Sequence, residues 1–342
     1  MYTKKGIFWY IICEYACVTV FLHFWNKYEH FFKSSQERIM TDDIRREFNN
    51  FVNFISKLKD SDPRGYRDTL YREIDHLTQI IEKAPDREKL EQEFFQLFDP
   101  FEISPIHRRA RQKPLGYSGD YLLIDWIYTQ KTAPSGQEKL FDLLFHSYEA
   151  TQSVRNRKNY FVKKCIELSN KKNSRLDILN VGCGPCRDVL ETYQLSANGN
   201  NLYFHCVDHE PEAIEYAKKL LTKTGVKSNI RLDCVNCFKI KTSKKYDLIW
   251  SAGIFDYLED RTASLLLRKL WRYLKDNGQI IFGNFSPKNP TKKGMEYGCK
   301  WYLIHRTTDD ITKLCRTAQI PFSELKIESE PLGINLFCII KK

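Results

Sequence analysis

Two glycines and an aspartate in the second half of the chain have the types and spacing of a nucleotide-binding turn. Gly182 and Gly184 follow a short apolar run, and a second apolar run ends in Asp208, 24 residues after Gly184. Glycines permit a tight strand-to-helix turn and close approach of a ligand to bare backbone. An acidic side chain at the end of the next strand can accept both hydroxyls of an adenosine ribose. These residues therefore predict an adenosine-binding site at the strand ends.

The turn departs from the dinucleotide-binding pattern G-x-G-x-x-G. Gly184 is followed by Pro185, Cys186 and Arg187, so the third glycine is absent. This form suits S-adenosylmethionine better than a pyrophosphate, and we predict that cofactor. The alternative is a purely structural glycine turn in another doubly wound fold.

Side chains at the following strand ends complete the predicted cofactor site. Asp188, in the first helical turn, can hold the methionine ammonium, although an acid there also satisfies the helix dipole. Asn236 and Cys237 follow the third strand, where an adenine would lie, and Gly253 after the fourth strand admits close backbone approach. The predicted cofactor-binding residues are Gly182, Cys183, Gly184, Asp188, Asp208, Asn236, Cys237, Ser251 and Gly253.

A cation-rich segment and a later excursion supply candidates for binding the methyl acceptor. Residues 107–113 read HRRARQK and precede a glycine-flanked Tyr117, whose hydroxyl can donate a hydrogen bond. An ionised carboxylate acceptor needs such donors and no general base, whereas a hydroxyl or amine acceptor needs a base such as Asp256, Glu296 or His305. A solvated surface charge or a loop brace is the alternative role for these side chains. We predict catalytic roles for Tyr117, Asp256, Tyr257 and Asn284, and substrate contacts for Arg108, Arg109, Arg111, Glu296, Tyr297 and Trp301.

The elements that must position these residues change type near residue 175. Residues 41–170 have helical periodicity; in the first helix Phe48, Phe51 and Ile55 share one face. From Arg175 onward short apolar runs alternate with helical ones, which indicates an α/β fold with a mostly parallel sheet. The last two runs are joined without a helix and predict an antiparallel hairpin. The predicted divisions are a hydrophobic segment (1–39), a helical cap and lid region (40–170) and the sheet domain (171–342).

Four stretches within residues 104–320 resemble a known family. They are SPIHRRARQKPLGYSGDYLLIDWIY, VRNRKNYF, SAGIFDYLEDRTASLLLRKL, and GNFSPKNP with MEYGCKWYLIHRT. They resemble the class I S-adenosylmethionine-dependent methyltransferases that make 3-hydroxypalmitic acid methyl ester, a fatty-acid-derived quorum-sensing signal. The resemblance implies a Rossmann-like seven-stranded sheet with an antiparallel C-terminal hairpin and O-methylation of a fatty-acyl carboxylate. Lys300 and His305 depart from the family pattern.

The composition of the chain excludes some classes of function and favours others. The chain has 342 residues, 42% of them apolar, and a formal net charge of +11. The apolar content excludes a wholly disordered chain, and the charge favours anionic partners without choosing among them. Besides a small-molecule or lipid acceptor, the alternatives are a protein or RNA acceptor and a non-catalytic interaction protein with this fold. Because no RNA-binding motif is found, nucleic acid is the less favoured partner.

Residues 6–25 form an apolar stretch long enough to span a bilayer as one helix, although Glu14 and His23 interrupt it. A membrane anchor, a helix packed on the protein, and an extension upstream of a start at Met40 are three open interpretations. We therefore expect a cytoplasmic protein, associated with a membrane if the first interpretation holds.

The chain contains eleven cysteines, most of them within apolar runs. Buried free cysteines of this kind indicate a reducing compartment. The pairs Cys183/Cys186 and Cys234/Cys237 have zinc-like spacing, but no further pair lies at a suitable distance along the chain. We predict no metal.

Overall fold

The computed structural model describes residues 42–56, 63–172, 174–196, 199–225 and 229–342. The predicted hydrophobic segment, 1–39, lies outside these residues. No helix in the described part of the chain is long and apolar enough to cross a membrane. The described residues divide into two compact units: 42–56 with 76–100, and 63–75 with 101–342.

The first helices are α1 (Asp42–Ser56), α2 (Pro63–Lys83) and α3 (Arg87–Gln96), and α2 contributes to both units. Phenylalanines form the core of the smaller unit. The rings of Phe48 and Phe94 lie 5.8 Å apart, and those of Phe51 and Phe98 lie 5.4 Å apart. The apolar face predicted for the first helix is therefore confirmed, because Phe48 and Phe51 are fully buried.

The larger unit continues with four helices before its sheet begins. A 3₁₀ turn covers Asp99–Ile103, and the helices are α4 (Pro105–Gln112), α5 (Tyr121–Thr129), α6 (Gly136–Ser147) and α7 (Glu149–Lys172). Side chains fix where two of them begin. Ser104 caps α4 by accepting from the backbone N–H of His107, and Asp120 caps α5 by accepting from those of Leu122 and Leu123.

Seven strands form one sheet in the order β3-β2-β1-β4-β5-β7-β6. They are β1 (Leu176–Val181), β2 (Leu202–Asp208), β3 (Ile230–Cys234), β4 (Tyr246–Ser251), β5 (Leu274–Phe285), β6 (Glu324–Ser329) and β7 (Asn335–Lys341). The intervening helices are α8 (Arg187–Leu195), α9 (Pro211–Lys223), α10 (Asp260–Trp271) and α11 (Thr308–Thr317). Strands β1 to β5 pair in parallel, whereas β7 pairs antiparallel with β5 and β6. The predicted fold class and hairpin are confirmed.

Apolar side chains cover both faces of the sheet. Leu179 packs on one face in a cluster with Leu270 of α10, and Ile178 packs on the other with Phe161 and Cys165 of α7. Because α7 packs on the sheet, it belongs to the same compact unit as the strands, and that unit also includes residues 101–148. The predicted division at residue 170 separates helices from strands within that unit.

The strand order reverses direction between β1 and β4. The chain runs outward from β1 through β2 to β3, then returns to β4 and runs outward the other way to β5. In parallel sheets a crevice opens at the carboxyl ends of the strands at such a switch point. Val181, Asp208 and Ser251 end their strands there.

Candidate active site

The chain between β1 and α8 forms a tight turn from Gly182 to Cys186, which we call the glycine turn. Gly182, Gly184 and Cys186 have left-handed backbone, with φ of 70°, 52° and 54°. A Cβ on Gly182 would lie 2.6 Å from Cδ1 of Ile254, so any other residue there would force the Ile254 side chain to move. A Cβ on Gly184 would have its nearest atom, Cα of Tyr121, 4.0 Å away. The backbone at Gly184 is therefore open to a ligand.

The carboxylate of Asp208, at the end of β2, faces the glycine turn. Its Oδ2 accepts from the N–H of Gly184 at 2.9 Å, and its Oδ1 accepts from the N–H of Glu210 at 3.1 Å. His209 lies beside it, and the contact with Asp208 raises the pKa of the imidazole. Because each carboxylate oxygen has a further lone pair, Asp208 can still accept hydrogen bonds from a bound diol.

A cavity of about 370 Å³ lies at these strand ends. Its size falls within the range of about 300–1,000 Å³ that is typical of small-molecule sites. Of the residues predicted to bind the cofactor, Gly182, Cys183, Gly184 and Asp188 line it from the glycine turn and α8. Asp208, Asn236, Cys237 and Gly253 line it from the later strand ends.

Asp188 is a buried carboxylate in the first turn of α8. Its Oδ1 accepts from the N–H of Val189 at 2.8 Å, and its Oδ2 accepts from Nδ2 of Asn180 at 3.3 Å. Burial raises its pKa to about 6, against the opposing effect of these hydrogen bonds. At neutral pH it remains ionised in the cavity lining, where a cationic group would stabilise it.

Three predicted aromatic side chains, Tyr117, Tyr257 and Trp301, also line the cavity. Nε1 of Trp301 donates to the Tyr257 hydroxyl at 2.8 Å, and the rings of Tyr117 and Tyr257 lie 6.3 Å apart. Partial removal from water raises the pKa of both tyrosines, although Tyr257 is 39% exposed. Their hydroxyls therefore stay protonated at neutral pH and can donate hydrogen bonds.

Asp256, a predicted catalytic residue, lines the same cavity. Its Oδ1 accepts from the N–H of Phe285 at 2.7 Å, and Nη1 of Arg157 lies 3.7 Å from its Oδ2. Burial raises the pKa of Asp256 to about 6, although Arg157 favours the charged form. Asp256 is therefore ionised at neutral pH, with one oxygen already bound to backbone.

Arg157 on α7 is a cavity residue that the sequence did not predict. Its Nη1 donates to the carbonyl of Ala252 at 3.0 Å, and its buried Nε has no hydrogen-bond partner. A Cβ on Gly253 would lie 3.3 Å from Nη1. The space beside Gly253 thus holds this guanidinium rather than being left open for a ligand. No local pattern distinguishes Arg157 from the other cations of VRNRKNYF.

Two predicted residues are buried behind the cavity and do not line it. Asn284 ends β5 fully buried, where its Nδ2 donates to the carbonyl of Ile304 at 2.8 Å and its Oδ1 accepts from Arg306 at 2.7 Å. Ser251 is fully buried at the end of β4, and its Oγ has no partner. In the structure Asn284 braces the following loop, and its catalytic role stays a prediction.

The three predicted arginines of α4 also lie outside the cavity lining. Arg108 donates to the carbonyl of Glu102 at 2.7 Å, and Arg111 donates to the Glu102 carboxylate at 2.8 Å. Arg109 pairs with Asp120, the cap of α5, at 2.8 Å. Arg108 and Arg109 thus hold their own segment together, whereas Arg111 also donates to the carbonyl of Gly298 at 2.9 Å.

Two predicted substrate residues lie in a short π-helical turn, Gly294–Gly298, away from the lining. Glu296 pairs with Lys292 at 2.6 Å. Nζ of Lys293 lies over the buried ring of Tyr297, 5.6 Å from the ring centroid. These contacts brace the turn, as expected if Glu296 and Tyr297 stabilise the loop.

Arg306 is a second residue that the sequence did not predict. It is buried, and it donates to the carbonyls of Phe255 at 2.8 Å and Leu258 at 2.5 Å. These carbonyls flank Asp256 and Tyr257, so Arg306 fixes the segment that carries both cavity side chains.

The lining fits an adenosine that carries a cationic amino-acid arm. The open backbone at Gly184 leaves room for close approach, Asp208 has free lone pairs for a ribose diol, and Asp188 presents a buried negative charge. These are the features that S-adenosylmethionine requires. Among the described residues, no cluster of three or more metal-ligating side chains occurs.

The strand order, with antiparallel β7 between β5 and β6, together with the glycine turn, defines the class I methyltransferase fold. Residues 172–320 match the family model described as a methyltransferase domain. The chain therefore carries an S-adenosylmethionine-dependent methyltransferase domain.

Relatives and a solved structure resemble this domain. A malonyl-[acyl-carrier protein] O-methyltransferase of Acetivibrio thermocellus is 29% identical over 139 residues, which are 41% of this chain and 45% of the relative. A ubiquinone biosynthesis O-methyltransferase of Rickettsia akari is 26% identical over 171 residues, 48% of this chain and 62% of the relative. The chain thus spans about half the length of these curated relatives. A possible exported protein of Bordetella parapertussis shares the fold, with a TM-score of 0.55 and 17% identity over 89% of this chain and 99% of that one.

Proposed function

We propose that this protein is an S-adenosylmethionine-dependent O-methyltransferase that esterifies the carboxylate of a fatty-acyl acceptor. One observation carries the proposal: a single cavity joins the glycine turn and Asp208 to aromatic side chains with protonated hydroxyls. The names of both curated relatives, which describe O-methyltransferases, support oxygen as the accepting atom. The product would be a methyl ester of the kind that serves as a quorum-sensing signal.

The cofactor would lie against the glycine turn. In this proposal Asp208 accepts from the ribose hydroxyls, Asn236 and Cys237 contact the adenine, and Asp188 holds the ammonium. Their places in the cavity lining support these roles. When bound, S-adenosylmethionine supplies an electrophilic methyl group.

A carboxylate acceptor is ionised at neutral pH and needs no general base. The protein must instead orient one oxygen and exclude water, because positioning supplies most of the acceleration in such a transfer. Tyr117 and Tyr257 can donate to that oxygen. The apolar cavity residues Leu258, Phe285 and Leu303 would contact the hydrocarbon part of the acceptor.

The helical part of the larger unit would complete the site. Residues 117–128 and 154–157 contribute to the lining, which supports a role for this region as a wall or lid over the sheet. In this arrangement the sheet domain, 171–342, binds the cofactor, and the preceding helices select the acceptor.

A hydroxyl acceptor is the second candidate. Asp256 is an ionised carboxylate in the cavity lining, and it could accept the proton that a hydroxyl must lose. The hydrogen bond from Phe285 and the nearby Arg157 guanidinium stabilise the charged form of Asp256, which weakens it as a base.

The proposal is tested by incubating the protein with methyl-labelled S-adenosylmethionine and a lipid extract and identifying the labelled product by mass spectrometry. A labelled fatty-acid methyl ester is expected with the wild-type protein and not with Asp208→Ala. Label in protein or RNA without a labelled ester would refute a fatty-acyl acceptor. Strongly salt-dependent RNA binding would favour a nucleic-acid acceptor.

A further inference from the structure

The hydroxyl oxygen of Tyr257 accepts an N–H of Trp301 and lies against the backbone of Gly119. Nε1 of Trp301 donates to it at 2.8 Å. Gly119 packs beside the same oxygen, because a Cβ added to Gly119 would lie 2.5 Å from it. Trp301 and Gly119 come from different parts of the chain, and all three residues line the cavity.

This arrangement determines where the Tyr257 hydrogen can point. A phenolic oxygen accepts through its lone pairs and donates through one hydrogen. Because the Trp301 N–H occupies one of the lone pairs, the Tyr257 hydrogen must be directed away from Trp301. Within the described part of the chain, no acceptor takes this hydrogen. It is therefore available to a ligand in the cavity.

Packing keeps the three residues in this relationship. A Cβ on Gly119 would lie 2.5 Å from the Tyr257 oxygen and 2.9 Å from Cζ2 of Trp301. Real Cβ contacts are not this short, so a larger residue at position 119 would displace Tyr257 or Trp301. We call Gly119 and Trp301 the Tyr257 bracket.

We propose that the Tyr257 bracket fixes the Tyr257 hydroxyl as a hydrogen-bond donor to the methyl acceptor. The site thereby selects an ionised carboxylate, because the accepting oxygen must carry no hydrogen of its own. Trp301 and Gly119 are then positioning residues that act through Tyr257. An alcohol or phenol must give up a proton, and a fixed donor at the reacting oxygen does not help it do so. This inference rests on the proposed function and names the property of the site that selects the acceptor.

The test compares Tyr257→Phe, Trp301→Phe and the double variant with the wild-type protein. Methyl transfer to a long-chain fatty acid is measured at saturating S-adenosylmethionine, beside a fatty alcohol of the same chain length. Tyr203→Phe is the matched control, because Tyr203 lies on β2 with its ring against Arg175 and outside the cavity lining. Calorimetric binding of S-adenosylhomocysteine verifies that each variant is folded.

Tyr257→Phe should lower kcat for the fatty acid about 10- to 100-fold, the range expected when a hydrogen bond to a charged group is lost. Trp301→Phe keeps an aromatic ring but loses the N–H, and it should lower kcat by a smaller factor with cofactor affinity unchanged. The double variant should be no slower than Tyr257→Phe alone, because Trp301 acts through Tyr257. The fatty alcohol should not be methylated.

The outcomes separate this inference from the proposed function. If the wild-type protein makes the ester and Tyr257→Phe is unimpaired, the bracket has no role and the proposed function stands.

If the losses in kcat of the two single variants multiply in the double variant, the positioning role of Trp301 is overturned. Methylation of the alcohol faster than that of the fatty acid would overturn the selection of a carboxylate. If Trp301→Phe does not fold, Tyr257→Phe still tests the donor, and Gly119→Ala, whose methyl group would displace the Tyr257 hydroxyl, tests its placement. Binding of S-adenosylhomocysteine without any ester would refute both the proposed function and this inference.

Discussion

Replacing Asp208 by alanine removes the carboxylate that we expect to hold the cofactor ribose. In the structure Oδ2 accepts from the N–H of Gly184 and Oδ1 from that of Glu210, and the carboxylate lines the cavity. Hydrogen bonds to a charged group contribute about 1.5–3 kcal/mol each, so two ribose hydroxyls account for about 3–6 kcal/mol. At about 1.4 kcal/mol per tenfold change, affinity should fall about 10²- to 10⁴-fold.

Isothermal titration calorimetry with S-adenosylhomocysteine measures this loss without turnover. Asp208→Asn keeps one acceptor oxygen and loses the charge, and it should lose less affinity than Asp208→Ala. Asp233→Ala is the matched control, because Asp233 lies on the neighbouring β3, pairs with His205 and does not line the cavity. Unchanged affinity in a folded Asp208→Ala protein would refute the ribose contact.

Three further predictions concern other residues of the site. Asp256→Asn should stabilise the fold by about 3 kcal/mol near pH 8. The pKa of Asp256 is about 6 in the folded protein and 3.8 ordinarily. Asp256 therefore loses its proton at lower pH in the unfolded chain, and the free energy of unfolding of the wild-type protein falls as pH rises between these values. Urea denaturation should show the gain disappearing below about pH 4, and a gain independent of pH would contradict the reasoning. Gly184→Ala should weaken S-adenosylhomocysteine binding about tenfold because the added methyl enters the cavity; full affinity by calorimetry would mean that no ligand approaches there. Arg306→Met should lower the free energy of unfolding by about 3 kcal/mol because buried carbonyls lose their donor. A thermal denaturation curve close to that of the wild-type protein would refute this stabilising role of Arg306.

The sheet and the glycine turn could be predicted because their signals are local. Alternating apolar and helical runs specify a parallel sheet, and the missing helix before β7 specifies the final hairpin. Gly184 and Asp208 end neighbouring parallel strands, so spacing along the chain brings them together. The same logic placed Asp256 and Tyr257 in the cavity, because they follow β4.

The contacts that complete the site could not be predicted, because they join distant parts of the chain. Arg157 reaches the carbonyl of Ala252, 95 residues away, and Arg306 reaches that of Phe255, 51 residues away. The substrate contacts of Arg108, Arg109 and Arg111 stay a prediction, because a run of cations does not show which protein acceptors will bind it; Arg111, for example, donates to the carbonyl of Gly298.

The central claim is that the cavity transfers a methyl group from S-adenosylmethionine to a carboxylate oxygen. The most direct measurement uses trideuteromethyl-labelled S-adenosylmethionine with a long-chain fatty acid that carries heavy oxygen at both carboxyl positions, followed by mass spectrometry of the product. We predict a methyl ester that contains the deuterated methyl group and retains both heavy oxygens. A product that has lost a heavy oxygen, or an unlabelled fatty acid beside a methylated macromolecule, would contradict the claim.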